Sequence, residues 1–225
     1  MRIIMVGATG LVGGLALKHL TARPDLESLT TITRSPITPS DERHFPEVAP
    51  MAAWSDRVAK GGFDIGICCL GTTIKAAGSK QAFAAVDMVA VGDFALACKA
   101  AGARQFMMVS SVGADAHSRN FYLSTKGKAE ASVRNVGFER VDIFRPGLLV
   151  GRRKGAIRLG ESVAIAVSPL TDLLTPNVLS RYRSVKAEAV AKAITSLAGA
   201  EEAGHFIHHN DEIRAAQSDL DKDRR

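Results

Sequence analysis

Short apolar runs alternate with longer segments of helical periodicity along most of the chain. The pattern predicts strands over residues 2–6, 29–33, 48–53, 64–70, 105–110, 140–144 and 205–209. Helices are predicted over residues 11–20, 80–101, 121–136 and 186–197. The segment 35–50 is rich in proline and is predicted as a loop. Strands that alternate with helices in this way imply right-handed crossovers and a parallel sheet covered on both faces.

A glycine-rich loop joins the first predicted strand to the first predicted helix. Three glycines at three-residue spacing frame the run Gly7-Ala8-Thr9-Gly10-Leu11-Val12-Gly13. Gly7 permits a tight exit from the strand, Gly10 lets the backbone approach a pyrophosphate, and Gly13 lets the helix pack closely on the sheet. The free N–H groups at the start of the helix then face the phosphates. In the first strand–helix unit of an alternating chain, this loop predicts a dinucleotide site formed by Gly7, Ala8, Thr9, Gly10, Leu11, Val12 and Gly13.

The alternation and the glycine loop together predict an α/β fold, a Rossmann-type doubly wound parallel sheet with a very small C-terminal substrate region. We expect residues 1–217 to form a single NAD(P)-binding domain, with residues 151–185 as an insertion on the substrate side. Residues 218–225 are polar and are expected to be a frayed tail.

The end of the second predicted strand bears on the choice of cofactor. A cofactor without a 2′-phosphate is usually held there by a carboxylate, but this strand ends in Arg34 and Ser35. A guanidinium can form charge-assisted hydrogen bonds to a 2′-phosphate, and the serine can donate another. We therefore expect NADP (NADPH) rather than NAD.

A tyrosine and a lysine lie one helical turn apart in the segment Tyr122-Leu123-Ser124-Thr125-Lys126. An ammonium beside a phenol favours the phenolate form, which makes Tyr122 a candidate general acid or base. Lys126 could also bond the nicotinamide ribose. Ser111 ends the preceding strand region, and its hydroxyl could bond the substrate oxygen together with Tyr122. These three residues are the predicted catalytic set.

These motifs together resemble the short-chain dehydrogenase/reductase superfamily in its atypical or extended branch. A closer likeness is to the Tat-interacting-protein (metastasis-suppressor-type) oxidoreductases. It rests on the runs Cys68-Cys69-Leu70-Gly71-Thr72-Thr73, Ser110-Ser111 followed by Gly113-Ala114-Asp115, Tyr122-Leu123 with Lys126-Gly127, and Phe144-Arg145-Pro146-Gly147. The resemblance covers roughly residues 1–210.

This resemblance implies hydride transfer between a nicotinamide cofactor and a carbonyl or alcohol. It also implies further residues along the cofactor, namely Leu70, Gly71, Thr72, Tyr122, Lys126, Pro146 and Leu148. The superfamily's catalytic asparagine has no clear match here. Asp87 stands near the place where the extended branch often has it.

The charge distribution bears on substrates and partners. The chain has 225 residues and a formal net charge of +6. The whole excess lies between Arg145 and Lys186, where eight basic residues stand against two acidic ones. We expect some of Arg152, Arg153, Lys154, Arg181 and Arg183 to face the mouth of the pocket and favour an anionic small-molecule substrate or an acidic partner; a merely basic surface is the open alternative. No known nucleic-acid reader motif accompanies these charges, so nucleic acid is not an expected partner.

The location and assembly of the protein are less strongly indicated. No basic-then-apolar leader precedes Gly7, and no run approaches the roughly 20 apolar residues of a membrane span, so we expect a cytoplasmic protein without a membrane partner. The three cysteines show no metal-ligand spacing, and no metal is expected. Monomer and homodimer both stay open.

The favoured function is that of an NADP-dependent oxidoreductase that reduces a carbonyl compound, with the proton supplied by Tyr122. Two alternatives stay open. One is a nucleotide-sugar epimerase or dehydratase, which usually has a larger C-terminal substrate domain. The other is a non-catalytic NADPH-sensing regulator, which would need none of Ser111, Tyr122 and Lys126.

Overall fold

A computed structural model describes residues 1–59, 61–151 and 181–222. Most of the expected insertion at residues 151–185, including Arg152, Arg153 and Lys154, lies outside the described residues.

A parallel sheet forms the centre of the fold. Its seven strands in the described part of the chain are β1 (Arg2–Val6), β2 (Ser28–Thr33), β3 (His44–Val48), β4 (Ile65–Cys68), β5 (Gln105–Val109), β6 (Arg140–Phe144) and β9 (Gly204–His208). They lie in the order β3-β2-β1-β4-β5-β6-β9, and every neighbouring pair is parallel. From β1 the chain first adds β2 and β3 on one side of the sheet, and it then returns to add β4, β5, β6 and β9 on the other side. The direction of winding therefore reverses between β1 and β4. Ligands of open α/β sheets bind at this point, beyond the carboxyl ends of the strands.

Helices connect these strands and cover both faces of the sheet. They are α1 (Leu11–Thr21), α2 (Trp54–Val58), α3 (Ile74–Ala77), α4 (Lys80–Ala84), α5 (Ala90–Ala100), α6 (Phe121–Arg134), α7 (Ala187–Leu197) and α8 (Asn210–Lys222), with a 3₁₀ turn at Met51–Ala53 and a π-helical turn at Ala85–Val89. The predicted doubly wound α/β fold is confirmed.

Two apolar clusters form the core, one on each face of the sheet. Alternate residues of β1 show the division, because Ile3 and Met5 pack in the cluster with α1 and α7, whereas Ile4 and Val6 pack in the cluster with α5 and α6. All four side chains are fully buried. The central strands β1 and β4 are buried on both faces, which explains why they are nearly continuous apolar runs.

The third strand lies earlier in the chain than expected. The prediction of a strand at 48–53 is wrong, because His44–Val48 forms β3 inside the segment predicted as a loop and a 3₁₀ turn begins at Met51. Pro46 made this strand hard to recognise. A proline is tolerated here because β3 is an edge strand, where the missing N–H does not interrupt a central ladder.

The C-terminal segment is more ordered than expected. The frayed tail was expected from residue 218, whereas α8 continues to Lys222. Ile213, Ala216 and Leu220 are buried at helical spacing along α8. This apolar face packs the helix against α7.

One helical segment in the described part of the chain, Lys80–Ala100, is long and apolar enough to cross a membrane by length and composition alone. The expectation that no segment approaches this limit is therefore wrong. Phe83, Val91, Phe94 and Cys98 of this segment are buried in the protein. A helix in the core of a folded domain can meet the same criterion of length and apolar composition.

A buried polar network joins the strands at the β9 side of the sheet. The carboxylate of Asp142 on β6 accepts hydrogen bonds from Gln105 Nε2 at 2.7 Å and from Arg140 Nε and Nη2 at 2.8 Å. His208 Nε2 on β9 lies 2.8 Å from the same carboxylate. Asp142 is fully buried, so these partners replace the water that it loses on folding.

The two ends of the segment between β6 and α7 are joined. Leu149–Val150 (β7) pairs with Val185–Lys186 (β8) in a short parallel ladder. The buried Asn210 side chain accepts a hydrogen bond from the Gly147 N–H at 3.1 Å and donates one to the Arg183 carbonyl at 2.8 Å. These contacts hold both ends of the segment beside β6.

Candidate functional site

The glycine loop is a backbone cradle between β1, α1 and the end of β4. Gly7 has a φ of +83°, and a Cβ at this position would lie 2.4 Å from the carbonyl carbon of Cys69. A Cβ at Gly13 would lie 2.1 Å from the Gly7 carbonyl oxygen. Glycine is thus required at both positions, because any side chain would collide with backbone.

The N-terminus of α1 suits a phosphate group. Its N-cap is Gly10, which has no side-chain cap, and the first turn contains no acidic residue. The backbone N–H groups of this turn are therefore donors for an anion, and the helix dipole favours negative charge there. The cradle and this helix end fit the pyrophosphate of a dinucleotide.

Arg34 and Ser35 follow the carboxyl end of β2, next to β1 in the sheet. Both are exposed, and Thr33 Oγ1 donates a 2.8 Å hydrogen bond to the Ser35 carbonyl that fixes the turn. In the described part of the chain no ion pair involves Arg34. Its guanidinium is thus available for a ligand at this edge of the sheet.

Helix α6 presents Tyr122 and Lys126. The helix begins after Asn120, whose Oδ1 accepts a 3.2 Å hydrogen bond from the Leu123 N–H. Tyr122 is half-buried, and its ring centroid lies 5.6 Å from that of the buried Phe83 on α4. Lys126 follows one turn later and is buried. The cap and the ring contact fix the first turn of the helix and the direction of the tyrosine.

The segment between β5 and α6 includes Ser111 and packs on this helix through Asp115 and Ala116. A Cβ at Gly127 would lie 2.2 Å from the backbone of Asp115 and Ala116, so α6 packs directly on this segment. Ser124 Oγ also donates a 3.1 Å hydrogen bond to the Ala116 carbonyl. Ser111 is half-buried, and its hydroxyl makes only a long 3.3 Å bond to the Val112 carbonyl. Its hydroxyl therefore has no strong fixed partner among the described residues.

The neighbouring serine has a structural partner. Ser110 Oγ donates a 2.5 Å hydrogen bond to Glu130 Oε1. Glu130 lies one turn beyond Lys126, is 1% exposed, and forms a two-point ion pair with Arg145 at the end of β6. This cluster connects α6 to the carboxyl ends of β5 and β6. Ser110 therefore has a structural hydrogen bond, whereas the Ser111 hydroxyl is the one available to a ligand.

The loops after β4 and β6 complete this edge of the sheet. The Val112 N–H donates a 3.0 Å hydrogen bond to the Pro146 carbonyl, which joins the loops after β5 and β6. Leu148 and Gly71 are exposed, and Leu70 and Thr72 are partly buried. The structure thus brings the expected residues of the described chain to the carboxyl edge of one sheet.

Sequence reasoning missed the partner of Lys126. Its Nζ lies 2.7 Å from Asp87 Oδ1, in the π-helical turn. Burial lowers the pKa of Lys126, but the Asp87 carboxylate and, after it, Tyr122 more than offset this, so that the pKa lies above its ordinary value. A lone acidic residue in the apolar run Val86-Asp87-Met88-Val89 was the available signal.

The amino-acid sequence is similar to those of proteins from fungi and from the rat. The protein named FMP52, mitochondrial, of Meyerozyma guilliermondii is 37% identical over 172 residues, which cover 76% of this chain and 74% of that protein. HTATIP2 of Rattus norvegicus is 36% identical over 166 residues, which cover 72% of this chain and 68% of that protein. No family model matches the chain.

Solved structures share the fold at low identity. DesIV, a dTDP-glucose 4,6-dehydratase of Streptomyces venezuelae with NAD and DAU bound, aligns with a TM-score of 0.70 and 15% identity over 98% of this chain and 80% of that one. MoeE5 in complex with UDP-glucose and NAD aligns with a TM-score of 0.68 and 13% identity, over 98% of this chain and 82% of that one. At these identities the likeness shows the fold alone.

The relatives' names overturn the expected cytoplasmic location. Relatives from Meyerozyma guilliermondii, Candida albicans and Emericella nidulans are named as mitochondrial proteins, which contradicts the expectation of a cytoplasmic protein. The expectation rested on the lack of a secretory leader, and that feature does not distinguish between compartments inside the cell.

The glycine cradle, the fold and these relatives agree on one family. The chain belongs to the atypical short-chain dehydrogenase/reductase family of NAD(P)-binding proteins that includes HTATIP2 and FMP52.

Proposed function

We propose that this protein is an NADPH-dependent oxidoreductase that reduces a carbonyl compound to an alcohol. The observation that carries the proposal is the buried ammonium of Lys126 one helical turn from Tyr122, at the sheet edge that also holds the glycine cradle. Ser111 follows the strand next to β4 at that edge. In this proposal the hydroxyl groups of Ser111 and Tyr122 and the Lys126 ammonium would border the nicotinamide ring.

The residues divide the work at the carbonyl oxygen. Tyr122 donates its phenolic proton to that oxygen, and Ser111 steadies the oxygen with a hydrogen bond. The Lys126 ammonium stabilises the phenolate that remains. A reduced nicotinamide, when bound, would supply the hydride for the carbonyl carbon, so that alcohol and NADP⁺ would be the products. Tyr122 then regains a proton from solvent.

Backbone groups would hold most of the cofactor. The glycine cradle and the N-terminus of α1 would bind the pyrophosphate, and Arg34 with Ser35 would bind the 2′-phosphate. The remaining contacts are assigned to residues along the carboxyl edge, namely Leu70, Gly71, Thr72, Tyr122, Lys126, Pro146 and Leu148.

The proposal is tested by steady-state NADPH oxidation with a panel of aldehydes and ketones. Turnover of at least one carbonyl, with one alcohol formed for each NADPH consumed, is the expected result. Tight NADPH binding without turnover of any compound would instead favour a non-catalytic sensor. Conversion of a nucleotide sugar without net loss of NADPH would favour an epimerase or dehydratase.

We further assign an anionic substrate to the same site. The backbone carbonyl of Arg181 would lie 3.2 Å from a Cβ at Gly147, so this arginine borders the loop after β6. Its side chain is exposed, with the guanidinium carbon 5.1 Å from the Tyr182 ring centroid. A cation at this place favours a negatively charged substrate.

Salt dependence separates this assignment from a merely basic surface. We expect KM for an acidic carbonyl to rise several-fold between low and high ionic strength, because salt screens exposed charges over about 10 Å at 0.1 M. A neutral carbonyl of similar size is the matched control and should change little. Equal salt dependence of the two substrates would contradict an anionic preference.

Cofactor selectivity is assigned to Arg34. We expect NADPH to bind at least about tenfold more tightly than NADH, which corresponds to about 1.4 kcal/mol and lies within the range of one charge-assisted contact. Arg34→Ala should remove most of this preference and leave NADH affinity unchanged. Titration of both cofactors into both proteins measures it, with Arg57→Ala, an arginine paired with Glu47, as the control. Equal affinities of the unmodified protein for NADPH and NADH would refute the assignment.

A further inference from the structure

A carboxylate is buried inside an apolar helical segment beside the proposed site. Asp87 is fully buried and lies at the centre of the π-helical turn Ala85–Val89, between α4 and α5. A π-helical turn inserted in an α-helix is often found at a functional site. A carboxylate that has no contact with water also requires an opposite charge or hydrogen-bond donors beside it, because burial alone strongly disfavours the ionised form.

The two oxygens of this carboxylate bind different elements. Oδ1 lies 2.7 Å from the Lys126 ammonium on α6. Oδ2 accepts a 2.9 Å hydrogen bond from the Thr72 N–H, in the loop after β4. A Cβ at Gly71 would lie 3.9 Å from Oδ1, so the loop backbone passes close to the carboxylate. Asp87 therefore bridges the cofactor-side loop and the helix that carries Tyr122.

The charge of Lys126 depends on this bridge. Its side chain is 5% exposed, and burial by itself would favour the neutral amine. Three titratable groups act on it, namely Asp87 from the π-helical turn, Tyr122 from its own helix and Cys68 from β4. Burial raises the pKa of the Cys68 thiol to about 12, so this group is neutral at physiological pH. Asp87 is thus the anion that compensates the ammonium.

We propose that Asp87 is a positioning residue that keeps Lys126 protonated and fixed beside Tyr122. The inference rests on the proposed function only for the roles of Tyr122 and Lys126. The carboxylate is itself anchored by the hydrogen bond from the Thr72 N–H, so it can hold the ammonium in place for proton transfer.

The test uses Asp87→Asn, which preserves the shape and one acceptor oxygen for the Thr72 N–H but removes the charge. At alkaline pH the activity should fall as Lys126 loses its proton. We expect this alkaline limb of the kcat/KM profile to move to lower pH by about one unit or more in Asp87→Asn, because the loss of an opposite charge at this distance lowers the pKa of an ammonium by about one to three units. Asp93→Asn, at an exposed position on the same helical segment, is the matched control and should leave the limb in place.

A second measurement needs no enzyme activity. The Lys126 ammonium can be followed by NMR of protein with ¹³C-labelled lysine, the signal being assigned by its loss in Lys126→Arg. In the unmodified protein it should stay protonated above the ordinary lysine pKa of about 10.4. In Asp87→Asn it should titrate at least about one unit lower than in the unmodified protein.

The outcomes distinguish this inference from the proposed function. An unshifted kcat/KM limb in a folded Asp87→Asn protein, or a Lys126 that titrates at or below 10.4 in the unmodified protein, would overturn the role of Asp87. If no carbonyl is reduced, the proposed function fails, but the NMR titration still decides the role of Asp87. If Asp87→Asn does not fold, the titration of the unmodified protein decides it.

Discussion

Tyr122→Phe should lower kcat by roughly 10²–10⁴-fold and leave NADPH affinity within about twofold of the unmodified protein. The substitution removes the transferable proton and preserves the ring. The ring contact to Phe83 at 5.6 Å and the Asn120 cap of α6 should therefore survive. Stopped-flow or steady-state NADPH oxidation with any accepted carbonyl measures kcat, and fluorescence titration measures cofactor binding.

The chain offers a matched control for this experiment. Tyr182 is the only other tyrosine in the sequence, and it is exposed. Tyr182→Phe removes the same hydroxyl from a different place and should retain most of the activity. Undiminished turnover in Tyr122→Phe would show that another group supplies the proton.

Asp142→Ala should lower the free energy of unfolding by about 3–5 kcal/mol, because removal of one member of a buried ion pair leaves the other charge uncompensated. Arg140 would lose both of its hydrogen bonds to the carboxylate, and Gln105 and His208 would each lose one. Denaturant unfolding followed by circular dichroism measures the difference. A loss below about 1 kcal/mol would mean that the network adds little to stability.

An exposed acidic residue provides the control for this substitution. Glu139 lies 3.8 Å from Arg104, and both side chains are mostly exposed. Glu139→Ala should change stability little, since salt and water screen such pairs. The contrast between the two variants isolates the effect of burial.

The same network predicts a pH dependence. Burial by itself raises the pKa of Asp142, but the hydrogen bonds from His208, Arg140 and Gln105 outweigh it and hold the pKa below its ordinary value. A lowered folded-state pKa adds stability above the unfolded pKa of about 3.9, and this stability is lost as the pH falls further through the folded value. Asp142→Ala should therefore show a weaker loss of stability below about pH 4.

The elements that the sequence predicted well are those fixed by local patterns. The limits of β1 and β6 are predicted to the residue, because each is a short run of mostly buried residues, with Gly7 directly after β1 and Pro146 two residues after β6. The glycine loop was recognisable because its spacing reflects close backbone contacts. The edge strand β3 was missed because edge position is a property of the assembled sheet, and Pro46 is a loop signal in any local reading.

The candidate site was predictable only in part for the same reason. Tyr122 and Lys126 are one turn apart on one helix, so their proximity follows from their spacing in the sequence. The contact between Lys126 and Asp87 joins distant parts of the chain, as does the contact of Glu130 with Arg145. Such pairings depend on how α6 crosses the sheet, and a single sequence does not contain that geometry.

The short β7–β8 ladder and the Asn210 bridge make the intervening segment modular. Both ends of the segment are held beside β6, so the chain between them has its closure fixed by contacts outside it. When the two ends of a segment are already joined, a change of its length adds little closure entropy, about 0.6 kcal/mol for each doubling of a flexible chain. We therefore expect insertions and deletions between Val150 and Val185 to cost the fold little stability.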